Sequence, residues 1–177
     1  MYLDQNMDVS MTNNVLFHAQ KFLVYVENVI SGYTFTGNLM IGAHKRANFP
    51  TGTGLIDDVA CYEQYTAIDF FADHGVDVSN NLCQGSEGEG FVFPSTQCEN
   101  MDTYPFVHNT AGSCEVAFMY DKVGGSTCIG AKGAIGYASE IGLMANQPGG
   151  YTKLIYQEMI FTDNKRGVTL RYAHETD

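Results

Sequence analysis

The 177-residue chain has no tryptophan, only four prolines, and 9 basic side chains against 20 acidic ones. The resulting formal net charge of −11 argues against nucleic-acid binding, since phosphates are repelled and few cations could replace their counterions. Anionic membrane surfaces are disfavoured for the same reason. The most apolar stretch, residues 15–30, is interrupted by five polar or charged side chains, too many for a membrane span. The N-terminus, MYLDQNMD, lacks the basic and apolar regions of a signal peptide. None of the five cysteines forms C-x-x-C, which leaves zinc knuckles and thioredoxin-type chemistry unsupported. Ser95 and Ser113 lack the G-x-S-x-G context of a nucleophile elbow. The glycine-rich stretch 85–90, GSEGEG, lacks the lysine of a phosphate loop, and Glu87 and Glu89 would repel phosphate.

What is abundant is glycine (19), tyrosine (11) and phenylalanine (11). Turn formers mixed with strand formers predict a β-rich body with tight turns. The N-terminal stretch reads differently. Val15, Ala19, Phe22, Leu23, Val26, Val29 and Ile30 follow the spacing of one helical face, with Ser10 placed to cap its start and Gly32 its end. Residues 33–41 alternate as a half-buried strand, and 55–73 fit a short helix or a strand pair. The stretch 73–95 reads as turn-rich, with Phe91–Phe93 a short edge strand, and 95–113 as irregular. Residues 115–122 read as a strand, and 127–144 as tightly packed strands. Residues 153–162 and 168–173, joined by the turn 163–167, predict a hairpin. No internal repeat is evident. One domain over 1–177 is expected, divided into a helix region (1–32) and a β-rich body (33–177).

The expected fold class is α+β: an N-terminal amphipathic helix packed on an antiparallel β-sheet with glycine-rich turns. That layout resembles the globular part of a type IV pilin or pseudopilin. The residues carrying the resemblance are Tyr2–Ile30 as the helix, with Cys98 and Cys114, or Cys114 and Cys128, as staples. The chain departs from that family in lacking the apolar half of the helix and the processing site with its nearby glutamate. The resemblance implies a filament subunit at the cell surface.

Several clusters suggest chemistry. Asp69, Asp73, His74 and Asp77 have the oxygen and nitrogen donors for Ca²⁺ or another divalent ion, although an acidic solvated turn has the same composition. Cys83, Cys98, Cys114 and Cys128 are disulfide candidates at spacings suited to turn-linked strands. His108 and Cys114 would form a nucleophile–base pair if the fold joined them. Tyr62, Tyr65, Tyr104 and Phe106 would stack on a sugar ring, or fill a core. His18 reads as a surface residue.

No convincing catalytic set emerges. The expectation is a non-enzymatic structural or interaction subunit of an extracellular or cell-surface assembly, with other protein subunits as partners and no cofactor beyond a possible Ca²⁺. The alternatives are a virus-particle component (capsid, decoration or tail) and a small metal-dependent hydrolase or carbohydrate-binding protein using the acidic region 57–77.

Overall fold

The computed structural model describes residues 2–3, 9–20, 23–27, 33–44, 68–71, 76–93, 106–121, 128–148 and 153–173. Every regular element among them is a β-strand, and every pairing is parallel. The first coil holds β1 (Tyr2–Leu3), β2 (Val9–Thr12) and β3 (Val15–Gln20), and the second β4 (Val24–Glu27), β5 (Tyr33–Thr36) and β6 (Leu39–His44). The third holds β7 (Ile68–Phe71), β8 (Val76–Ser79) and β9 (Leu82–Gln84), and the fourth β10 (Glu89–Phe93), β11 (Phe106–Val107) and β12 (Thr110–Gly112). The fifth holds β13 (Val116–Asp121), β14 (Cys128–Lys132) and β15 (Ile135–Tyr137), and the sixth β16 (Ile141–Pro148), β17 (Lys153–Gln157) and β18 (Ile160–Thr162). The strand β19 (Arg166–Ala173) begins a seventh turn. Each strand pairs with its counterpart one coil away, giving a seven-stranded sheet 1 and two six-stranded sheets, sheet 2 and sheet 3. This is a parallel β-solenoid.

The corners explain how the chain turns without breaking its hydrogen-bond ladder. Between sheets 2 and 3, Asn13, Gly37, Asn80, His108, Gly133 and Glu158 all have φ near +60° (54 to 68°). Between sheets 3 and 1, His18, Gly42, Gly85, Ser113, Ala138 and Asp163 repeat the device. A left-handed residue turns the strand sharply, and asparagine and glycine bear that conformation at least cost. Straight after the first corner come Asn14, Asn38, Asn81 and Asn109, whose side chains climb the coils as a ladder. Asn38 Nδ2 donates to Asn81 Oδ1 at 3.0 Å, and Asn81 Nδ2 donates to Asn109 Oδ1 at 3.0 Å. The same oxygens accept the backbone N–H of the coil before, Asn38 N to Asn81 Oδ1 at 2.9 Å and Asn81 N to Asn109 Oδ1 at 3.0 Å. The ladder therefore supplies acceptors that a sharply turned backbone cannot, which burial demands.

The interior is filled by Phe35, Met40, Phe91 and Phe118, each at most 1% exposed. Phe91 and Phe118 stack with ring centres 5.3 Å apart, and Phe106 meets both edge-on. Full burial of such side chains stabilises by about 1.5–3 kcal/mol each. Ala111, Ala117, Ala131 and Ala134 complete the core where opposing sheets converge. On sheet 1, Val92, Val116, Met119, Ile141 and Met144 form a second buried cluster.

These observations correct the α+β expectation and the resemblance to pilins. Among the described residues no helix lies on an antiparallel sheet. Residues 15–20 and 24–27 are the extended strands β3 and β4. Asn13 and His18, at φ 57° and 54°, would interrupt a helix there. The helical spacing arose because β3 bears apolar residues on both faces, Leu16 inward and Val15 and Phe17 outward, and a corner then shifts the phase. Ser10 lies within β2, and Gly32 lies outside the described residues. The pilin-like filament subunit that the resemblance implied falls with the helix. The segments 153–162 and 168–173 are strand-rich, but they do not form a hairpin: the first breaks at Glu158 into β17 and β18, β19 already begins at Arg166, and β17, β18 and β19 pair with β14, β15 and β16. Phe91–Phe93 belongs to a central strand between β7 and β13, not an edge. The unrecognised repeat is the coil, whose first-corner residues stand 24, 43, 28, 25 and 25 positions apart.

Candidate functional site

The outward face of sheet 3 is built from two columns in strict register. One runs Val15, Leu39, Leu82, Thr110, Ile135, Ile160, and the other Phe17, Ile41, Gln84, Gly112, Tyr137, Thr162. None of the twelve is charged. Val15 is 62% exposed, Phe17 67% and Ile160 54%, so apolar area faces water from the first coil to the sixth. Five of the seven large exposed apolar side chains among the described residues belong to these columns. The Tyr137 ring lies over Gly112, where any side chain would meet it. By contrast, sheet 2 presents hydroxyls: Thr36 and Ser79 hydrogen-bond at 3.2 Å, and Ser79 Oγ donates to Asp77 at 2.8 Å.

The corner between sheets 3 and 1 carries an open groove of about 840 Å³, lined among others by Ser113, Cys114, Ser139, Glu140, Asn164 and Lys165. Here Cys114, Ser139 and Asn164 repeat the role of the asparagine ladder. Cys114 N donates to Ser139 Oγ at 3.1 Å, and Ser139 N donates to Asn164 Oδ1 at 2.9 Å. Lys165 and Glu140 form an exposed ion pair at 2.9 Å across the rim. Cys114 Sγ donates to Gly112 O at 3.3 Å. Its thiol also hydrogen-bonds that of Cys83, which holds Cys114 below its ordinary pKa. Burial and the charge of Glu89 oppose this, while backbone amides of Ser86 and Gly85 reinforce it. For Cys83 the same hydrogen bond, burial and the neighbouring Cys114 charge all push the pKa up.

The sequence-derived sites fare unevenly. Asp69 lies on β7 and Asp77 on β8, on two different sheets, while Asp73 and His74 fall outside the described residues. Among the described residues no three His, Cys, Asp or Glu gather as metal ligands. Cys83 and Cys114 come together as free, buried thiols; Cys98 lies outside the described residues and Cys128 begins β14. His108 and Cys114 stand at opposite ends of β12, so strand geometry keeps the base away from the thiol. Phe106 is 5% exposed, a core ring and not a sugar platform, whereas Tyr62, Tyr65 and Tyr104 lie outside the described residues. His18 is an exposed corner residue, its ring edge-on to Phe17. Sequence reasoning missed the sheet 3 face because its residues stand about a coil apart in the chain. No described helix is long and apolar enough to cross a membrane. No family model matches the chain, and no curated protein or solved structure matches it.

Proposed function

We propose that the chain is a non-enzymatic structural and interaction subunit, a solenoid rod that contacts a second copy of itself through the outward face of sheet 3. The single observation carrying this reading is the twelve-residue uncharged face on a chain of net charge −11. Two such chains repel one another over most approaches, but this strip brings no carboxylate against a carboxylate. Two sheet faces can pack about 10 Å apart with their side chains interdigitated.

Six strands spaced about 4.8 Å apart and three residues rising about 3.3 Å each give a footprint of roughly 300 Å² per copy. That is well below the about 800 Å² per partner of a standard interface. One contact is therefore weak, and it serves an assembly in which many are made together. Sedimentation equilibrium at rising concentration is the test. Weak self-association, abolished by Phe17→Asp with Ile160→Asp, is expected; a wild-type chain that stays monomeric at millimolar concentration overturns the reading.

The low charge density supports an extracellular or cell-surface assembly over a virus particle. Thiol titration of native-source material decides between them: five thiols reacting without reductant would remove the extracellular placement.

A further inference from the structure

We infer that Cys83 and Cys114 are a dithiol pair that closes into a disulfide between the third and fourth coils when a small-molecule disulfide enters the groove beside Cys114. The pairing follows from the register. On β9 and β12, Cys83 lies opposite Ala111 and Gln84 opposite Gly112. One step further, Gly85 and Ser113 both turn the chain with positive φ, so Ser86 comes level with Cys114. Cys83 points into the core before this corner and Cys114 after it, so both thiols enter the same angle of the solenoid. Both belong to the one core cluster, 1% and 5% exposed, and their side chains hydrogen-bond. The room around them is tight: a Cβ at Gly90 would lie 2.9 Å from Ala111 Cβ and 3.3 Å from Cys114 Sγ.

The two sulfurs are not equivalent. Both lie in the core, but Cys114, 5% exposed, also lines the open groove, and Cys83, 1% exposed, does not. The lowered pKa of Cys114 enriches its thiolate, the attacking species. Cys114 thiolate attacks one sulfur of the incoming disulfide, forming a mixed disulfide and releasing one thiolate. Cys83 then gives up its proton to that released thiolate and attacks Cys114 Sγ, expelling the second thiolate, which takes up the proton Cys114 had lost. Two protein thiols are oxidised, one small disulfide is reduced to two thiols, and the protein gains one bridge. The bridge adds a covalent tie between two coils already joined by parallel strand pairs and the Asn81–Asn109 hydrogen bonds, and it closes a loop containing β10, β11 and β12.

The test equilibrates the full chain with oxidised glutathione, followed by peptide mapping without reductant. The expected product is a Cys83–Cys114 linked peptide, with a higher urea midpoint that dithiothreitol reverses. Cys83→Ser should trap glutathione on Cys114, and Cys114→Ser should leave Cys83 unmodified. If Cys83→Ser does not fold, the wild-type map alone decides. Both thiols still free, a persistent glutathione adduct on wild-type Cys114, or Cys114 joined to another cysteine would overturn the inference. None of these outcomes depends on whether the rod self-associates.

Discussion

Removing one asparagine from the middle of the first-corner ladder should cost far more than removing one from its end. Asn81 is 1% exposed and makes four side-chain hydrogen bonds. Its Oδ1 accepts from Asn38 N at 2.9 Å and Asn38 Nδ2 at 3.0 Å, and its Nδ2 donates to Phe35 O at 2.8 Å and Asn109 Oδ1 at 3.0 Å. After Asn81→Ala, Asn109 Oδ1 still accepts from the backbone N–H of residue 81. The N–H of Asn38 loses this acceptor at a residue 3% exposed, and an unsatisfied buried donor costs about 1–3 kcal/mol. With the bond to Phe35 O also gone, the loss comes to about 2–4 kcal/mol, a large share of a typical 5–15 kcal/mol. Asn14 is exposed, and Asn14→Ala keeps its backbone bond to Asn38 Oδ1 at 2.9 Å, so it should cost less than about 1 kcal/mol. Urea unfolding followed by circular dichroism measures both variants, with an unchanged slope confirming that the denatured state is the same. Solenoid coils couple mainly to their neighbours, so amide exchange at Asn38 should show the loss locally even if unfolding is not all-or-none. An Asn81→Ala variant within about 0.5 kcal/mol of wild type, or no worse than Asn14→Ala, would refute the ladder's role.

Phe118→Ala removes a fully buried ring stacked on Phe91, so urea unfolding should show a loss of about 3–5 kcal/mol; a loss under about 1 kcal/mol would mean the stack is not the centre of the core. Gly90→Ala would set a methyl 2.7 Å from Ala117 O and 2.9 Å from Ala111 Cβ, and should lower stability by about 1–3 kcal/mol, since backbone cannot move aside as a flexible side chain can. The Lys165–Glu140 pair is exposed on both sides, so Lys165→Met should change the urea midpoint by no more than the equivalent of about 0.5 kcal/mol. Cys114 should react with iodoacetamide at neutral pH ahead of Cys83. Because its pKa is lowered, its rate should rise at lower pH than that of the same thiol in the urea-unfolded chain, and a rate that rises no earlier would contradict the hydrogen-bonded pair.

Strand content was legible wherever one coil presented a simple signal. Within the stretch 115–122 that reads as a strand, Val116–Asp121 is β13, because aromatic and β-branched residues are concentrated there. The segments at 153–162 and 168–173 were legible as extended, yet their pairing was not. A hairpin and a solenoid corner share the same turn residues, and only the partner strand distinguishes them. The helical reading failed at β3 because a solenoid strand between core and apolar outer face does not alternate cleanly. The edge-strand reading failed at β10, where GSEGEG turns a corner and the following residues run into the middle of sheet 1.

The repeat was present in the chain as Asn13-Asn14, Gly37-Asn38, Asn80-Asn81 and His108-Asn109, with Gly133-Ala134 and Glu158-Met159 continuing it in altered form. Unequal spacing hid it, since the second coil-to-coil interval is 43 residues and the others are 24 to 28. Of the candidate sites, the cysteines are joined as Cys114 to Cys98 or Cys128 in the pilin-like expectation, whereas the structure sets Cys114 beside Cys83, both as free thiols. The contact with Cys83 depends on two corners lying in register, a relation between coils that no local pattern carries.

By itself the sequence determined the charge, and with it the partners the chain repels, together with the glycine, asparagine and aromatic supply from which tight corners and strands are made. Tertiary structure alone decided that the strands pair in parallel with their counterparts one coil away. Parallel register is a long-range relation: it is selected when buried asparagines find acceptors and Phe91 finds Phe118, contacts that exist only after the coils have stacked.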